Sequence, residues 1–407
     1  MTTLVSSAAV QRRILRVLVF TQLLGGVGLA AGVAVGALLA RDLLGGDALS
    51  GLPSAAATAG GALAAVPISR LMARSGRRPG LAAGYLTGGV GAALVLLAAQ
   101  LRSFPLLVAG MVAFGVGNTA SLLARYAAAD LAEPQRRGRA VSTVLFATTF
   151  GAVAGPNLVQ PAGALARAVS LPELAGPFIL SVAAYALAAL AVTVLLRPDP
   201  LLTARTSEPP APAEPAGSAW AVVLRGPALA GLIAMVGAQF VMVAMMTMTP
   251  VHMLANGRGL SVIGFVISAH IAGMYLLSPL GGWICDRFGA LATIRLGGLT
   301  LLAAGLAGAL ASSASVALLT VALFLLGLGW SLSLVGGTTL LTSAVPLGQR
   351  AGAQGNADLL VGLAGATGGL GSGLVLALSG FTVLGLLTAA VAVALLATGV
   401  RSAVQAR

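Results

Sequence analysis

The 407-residue chain has no lysine, one cysteine and two histidines, and only 8% of its residues are charged. A single cysteine, Cys285, excludes an internal disulfide. No Ser-His-Asp arrangement and no metal-hydrolase spacing occurs, so an enzyme is not expected. No nucleotide-binding domain is present, which excludes ATP-driven transport by this chain alone. The glycine-rich stretch "GATGGLGSG" at 365–373 has neither a preceding strand nor a P-loop lysine, and close helix packing explains it better than phosphate binding. Short alternating segments of the kind that build transmembrane β-barrels are missing too.

What the chain does have is apolar length. Mean hydropathy is +1.00 and 58% of residues are hydrophobic. Twelve runs reach roughly the 20 residues needed to cross a bilayer. They fall near 14–39, 48–72, 79–100, 104–128, 140–166, 173–196, 220–249, 261–284, 291–311, 315–344, 352–378 and 380–400. In lipid such runs can only be helices, because an open backbone cannot satisfy its hydrogen bonds there. The first run follows Arg12 and Arg13 but is too long for a signal peptide and is kept as a span. The fold class expected is therefore an all-α membrane protein with twelve transmembrane helices.

All 23 basic residues are arginine, which reads as coding bias rather than nucleic-acid binding; no nucleic-acid partner is expected. With the N-terminus inside, only Arg41, Arg102, Arg167 and Arg258 fall outside, which leaves 19 of the 23 inside. That asymmetry predicts cytoplasmic N- and C-termini. The net charge of +13 then reflects topology and contact with anionic membrane lipid.

Residues 197–219, with six prolines, read as an extended cytoplasmic linker between an N-terminal six-helix bundle, 1–196, and a C-terminal one, 220–407. The halves echo one another. Arg74 and Gly76 correspond to Arg287 and Gly289, "FGVGNTASL" at 114–122 corresponds to "LGLGWSLSL" at 326–334, and Gly151 corresponds to Gly365. A parallel repeat of six spans implies two bundles related by an axis along the membrane normal.

Two hydrophobic runs carry soft-metal ligands at helical spacing. Met242 and Met246 are four residues apart in the seventh, and His270 and Met274 are four apart in the eighth. A spacing of four puts each pair on one helix face. Met235 and Gln239 share the stripe of the first pair, and Ser278 and Cys285 that of the second. Thioether and imidazole suit Cu(I) and need no buried formal charge. The expected order of ligands is Met246, then Met242 level with His270, then Met274, with Cys285 at the cytoplasmic exit and His252, Met253 and Met248 collecting ions outside. Any one of these methionines alone would read as packing; the paired spacing is the signal. Asp358 is the one acid well inside a span; it reads either as a proton or cation site or as a structural ion pair with Arg350 or Arg125, and the residues alone leave the two open. Asn118 and Gln22 read as cavity lining or polar packing.

The motif "GGWICDRFG" at 281–289 resembles the loop between the second and third spans of each half in the major facilitator superfamily, and "GAVAGP" at 151–156, with Gly151, Gly155 and Pro156, resembles that family's fifth-span motif. The resemblance covers essentially the whole chain. It implies two six-helix bundles and a secondary transporter in the bacterial cytoplasmic (inner) membrane. It also implies a gating role for Asp286, Arg287 and Gly289, with Asp286 holding the N-terminal end of the eleventh helix. The N-terminal half departs from the motif: Ala73 stands at the aspartate position. Gly110 stands where proton-coupled members often have arginine. The two ligand pairs resemble those of CcoA-type copper importers, which implies Met242, Met246, His270 and Met274 as the metal-handling set. Copper is then the transported substrate, with no cofactor permanently bound. A cytoplasmic copper chaperone is an expected partner, and the chain is expected to be monomeric. The rival readings are a proton-coupled drug or metabolite exporter, a riboflavin-type transporter of the same fold, and a membrane metal sensor or assembly factor.

Overall fold

The computed structural model describes residues 7–44, 49, 51–207, 218–311 and 315–405. Its ordered elements are helices, with no strand among the described residues. Spans 1 to 6 are Ser7–Leu44, Leu52–Ser75, Arg77–Leu101, Phe104–Ala129, Arg137–Ala168 and Gly176–Leu195. Span 7 is Gly226–Ala255. Span 8 runs from Leu260 to Phe288, and span 9 is Ala290–Leu310. Span 10 is Val316–Ala344. One helical run, Leu347–Gln405, holds spans 11 and 12, which are divided at Gly380 (φ 77°, ψ 175°). Among the described residues, nine helices are long and apolar enough to cross a membrane. Dividing the last of them at Gly380 and adding spans 1 and 5, of 38 and 32 residues, accounts for the twelve expected.

The boundaries follow from local chemistry. Pro53, Pro105, Pro177, Pro227 and Pro279 sit in first helical turns, where no backbone N–H is missed. Spans 2 and 3 meet at Gly76 (φ 92°), and spans 8 and 9 at Gly289 (φ 91°). These are the two glycines that the internal repeat aligns, and a left-handed φ is open to glycine at no steric cost.

The linker departs from the extended segment expected. Pro200–Ser207 is helical, because proline is compatible with a first turn and Asp199 caps it, accepting from Leu201 N (3.0 Å) and Leu202 N (3.2 Å). Leu201 and Ala204 are buried beneath it. Residues 208–217 of the expected linker lie outside the described residues.

By packing, the chain divides into two units. Unit 1 comprises residues 1–132, 147–215 and 347–359; unit 2 comprises 133–146, 216–346 and 360–407. The start of span 5 thus belongs to unit 2 and the start of span 11 to unit 1. Within unit 1, span 4 packs along spans 2 and 3, and span 6 along spans 1 and 3. Within unit 2, span 10 packs along spans 7, 8 and 9. Small residues allow the close approach: a Cβ at Gly231 would lie 2.8 Å from the Gly337 carbonyl oxygen.

Candidate functional site

Span 10 is the common neighbour of the two ligand-bearing helices in unit 2. Gly231 of span 7 lies against the Gly337–Leu341 turn, and Gln239 reaches Trp330, so spans 7 and 10 run antiparallel. On the other flank, Gly327 lies against the His270 carbonyl and Met274 N, and Gly273 lies against the Phe324 carbonyl. Counting at equal rise per residue brings Met242 and Met274 level with the turn after Gly327. The same count brings Met246 and His270 level with Leu323 and Phe324. The register pairs Met246 with His270 and Met242 with Met274, whereas the sequence alone suggested Met242 beside His270.

His270 is fully buried. Its Nδ1 lies 2.8 Å from the Leu323 carbonyl oxygen, which can only accept. The proton therefore sits on Nδ1, and Nε2 carries the lone pair. Nε2 is buried with no hydrogen-bond partner among the described residues. A ring oriented by a carbonyl through one nitrogen, with the other nitrogen free, is the usual arrangement of a metal-ligating histidine. Met242 and Met274 are buried, Met246 half-buried.

Span 8 is not a uniform α-helix. Ala272–Leu276 forms a π turn, which places one extra residue in the turn that holds Met274. Residues beyond it are rotated by about 100° from an unbroken α-helix, so Ser278 and Cys285 leave the predicted stripe. Ser278 donates to the Ser142 carbonyl (3.1 Å), and Cys285 is buried against Gly138, both at the start of span 5. The sulfur of Met235 accepts from the Thr338 hydroxyl (3.6 Å), and its stem packs on Gly337. His252 stacks on Phe381 with ring centroids 4.5 Å apart. No group of three or more His, Cys, Asp or Glu that could hold a metal occurs among the described residues.

A second constellation lies one turn beyond Met242 and Met274. Trp330 Nε1 donates to Gln239 Oε1 (2.7 Å), and the Trp330 ring meets Tyr275 edge-on at 5.9 Å. Gln239 also lies against Gly365 of span 11. Four helices of unit 2 therefore converge on this amide and its aromatic neighbours. Gln239 was legible as a stripe residue; its partner was not.

Asp286 at the end of span 8 accepts from Gly138 N (2.8 Å) and Arg139 N (3.2 Å) of span 5. The sequence reading gave it the start of span 11, and the structure corrects the partner. Arg287 and Gly289 are exposed beside it.

In unit 1, Asp358 Oδ1 accepts from Arg125 Nη2 (2.5 Å) and the Tyr126 hydroxyl (3.1 Å). Of the two arginines considered from sequence, Arg125 makes this ion pair. Arg77, not singled out from sequence, is fully buried, binds Asp130 through Nε (2.7 Å) and Nη2 (3.1 Å), and donates to Gln354 Oε1 (2.5 Å). Gly151 abuts the Gly26 backbone, where a side chain would not fit. Asn118 is half-buried on span 4. The surroundings of Gly155 and Pro156 lie outside the described residues.

Comparison with known proteins fits this architecture. The Major Facilitator Superfamily model matches residues 18–264 and 255–404. The MFS-type transporter YdeG of Bacillus subtilis (strain 168) is 46% identical over 381 residues, covering 92% of this chain and 88% of that protein. The riboflavin transporter RfnT of Brucella anthropi is 28% identical over 359 residues, covering 88% and 87%. The crystal structure of the human organic anion transporter MFSD10 superposes with a TM-score of 0.76 at 17% identity, covering 96% and 99%. The chain belongs to the major facilitator superfamily, a multi-pass membrane secondary transporter and not an enzyme.

Proposed function

We propose that this transporter imports copper, as Cu(I), across the bacterial inner membrane by alternating access of its two six-span halves, residues 1–196 and 220–407. Both termini and the 197–219 linker face the cytoplasm in this reading, since that orientation puts 19 of 23 arginines inside. The observation that carries it is His270: a buried imidazole whose Nδ1 is committed to Leu323 and whose Nε2 is unpartnered, one turn from the sulfur of Met274. Met246 and Met242 come to the same two depths on span 7, so a soft ion meets two rungs in succession. Thioether coordination is weak enough for the ion to leave as well as enter. The two ligand pairs resemble those of CcoA-type copper importers, and a cytoplasmic chaperone would take the ion after release.

A second reading is a small organic solute. Trp330, Tyr275 and Gln239 form an aromatic and amide cluster of the chemistry that a flat ring would meet, and RfnT, a relative over most of the chain, is a riboflavin transporter.

Proteoliposomes separate these. Radiocopper supplied under reducing conditions should accumulate inside and be displaced by Ag(I) but not by Mg²⁺. Riboflavin accumulation without copper accumulation would replace the first reading with the second. Copper binding without accumulation would remove copper as the transported cargo.

A further inference from the structure

We propose that the Arg287 end of span 8 is a binding site for an anionic phospholipid, with the lipid phosphate on the Arg287 guanidinium and an acyl chain along Trp283 and Leu280. This depends on neither the cargo nor the direction of transport.

After its π turn, span 8 continues as the α-helix Ser278–Phe288, and this helix has two faces. Gly281, Gly282 and Cys285 are buried. Gly282 lies against Ser142 and Cys285 against Gly138, both of span 5, and Gly281 faces Leu332 of span 10. The other face carries Leu280, Trp283 and Arg287, at spacings of three and four, and all three are exposed. Phe288, also exposed, meets the Trp283 ring edge-on at 5.9 Å. Arg287 is thus next in sequence to one ring and one turn from the other. An exposed aromatic pair at the end of a span belongs at headgroup level, with aliphatic side chains on the acyl side and arginine on the water side. At ~1.5 Å per residue the guanidinium starts roughly 6 Å beyond Trp283, toward the phosphates.

Arg287 lacks an anion. Unit 2 contains two acids, Glu133 and Asp286. Glu133 pairs with Arg136 at 3.4 Å. Asp286 is turned inward, with its side chain 6% exposed, its oxygens on Gly138 N and Arg139 N, and the Arg139 guanidinium at 3.6 Å. Arg287 makes no hydrogen bond or ion pair among the described residues. Its own unit therefore offers it no counter-ion. A guanidinium is weakly hydrated and forks onto two phosphate oxygens at once, which suits the edge of a bilayer. The same charge count selects among headgroups. With both acids already taken, no carboxylate on this face is left to meet a choline or an ethanolamine. A headgroup of net negative charge is satisfied here and a zwitterionic one is only half satisfied.

The test is quenching of tryptophan emission in the full chain, reconstituted in phosphatidylcholine bilayers with a minor share of brominated phosphatidylglycerol or of brominated phosphatidylcholine. The signal of Trp283 is the part of the emission lost in Trp283→Phe. Quenching of that part should report about fivefold higher local occupancy for phosphatidylglycerol than for phosphatidylcholine. Arg287→Gln, an exposed substitution, should bring the two lipids level. Equal quenching in the native chain overturns the proposal, and that comparison needs no variant in which Arg287 is changed. A preference for phosphatidylglycerol that survives in Arg287→Gln overturns it as well. Loss of the preference on adding inorganic phosphate at constant ionic strength would make the ligand a free anion. Quenching by neither lipid would mean that protein covers this face. Either result overturns the lipid site.

Discussion

Asp286 caps span 5: its two oxygens take the backbone N–H groups of Gly138 and Arg139, at 2.8 and 3.2 Å. An anion at the positive end of a helix is favourable, and Cys285, the residue before it, is buried against the same Gly138. The arrangement supplies its own reporter, because Cys285 is the only thiol in the chain. Asp286→Asn keeps the shape and removes the charge, which should loosen this junction by about 1 kcal/mol. Alkylation of Cys285 by a maleimide should then quicken about fivefold. An unchanged rate would remove Asp286 from any role in holding span 5.

The N-terminal half has Ala73 at the position corresponding to Asp286, and the linker helix supplies contacts there. Asp199 accepts from Arg78 N (2.8 Å) at the start of span 3, and Arg205 donates to the Ala73 carbonyl (2.9 Å). Asp199 therefore caps two helices at once. Asp199→Ala should cost about 1–2 kcal/mol of docking. Trypsin should cut after Arg205 about tenfold faster in that variant, while other arginine sites keep their rates. Equal cutting at Arg205 would mean that the helix does not need its cap to stay docked.

The buried pair of Arg77 and Asp130 is a different kind of element, since both side chains have no exposure. Removing one partner strands a charge, so Asp130→Ala should cost about 3–5 kcal/mol. Replacing both, as Arg77→Met with Asp130→Leu, should recover much of that loss in thermal unfolding. If the double variant is no more stable than the single one, the bond from Arg77 to Gln354 matters more than the ion pair.

What was legible in the sequence was what a helix in lipid writes along its own length. Apolar runs gave the spans, and the repeat aligned Gly76 with Gly289 before either was seen to be a break. Contacts between helices were legible only where chemistry left few options: Asp358 had two candidate arginines and took one. Arg77 with Gln354 and Trp330 with Gln239 lie 277 and 91 residues apart, and neither pair leaves a periodic trace. The π turn in span 8 has no composition of its own. Six prolines and several charges make the linker read as extended, yet Pro200 opens a helix. The repeat itself shows why Asp286 meets span 5 rather than span 11. The loop after span 2 lies near the start of span 11, where Arg205 also reaches Gly348 (3.4 Å). The equivalent loop after span 8 must then face span 5.

The ligand rungs make the sharpest prediction. Met→Leu at 242, 246 or 274 keeps volume and apolarity and should cost less than about 1.5 kcal/mol of stability. His270→Gln keeps a polar group but loses the Nε2 lone pair. Each should lower copper uptake about tenfold or more while the protein still accumulates in the membrane. Coupling between substitutions then tests the register. If Met246 and His270 hold one ion, removing both should be little worse than removing the more important one, and likewise for Met242 and Met274. Pairs drawn from different rungs, such as Met242 with His270, should combine nearly independently, because each disables a separate step. Stronger coupling of Met242 with His270 than of Met246 with His270 would show that the depths read along span 10 are off by a turn. Copper uptake unchanged by all four substitutions together would end the copper reading and leave the aromatic cluster around Trp330 as the place to look for the cargo.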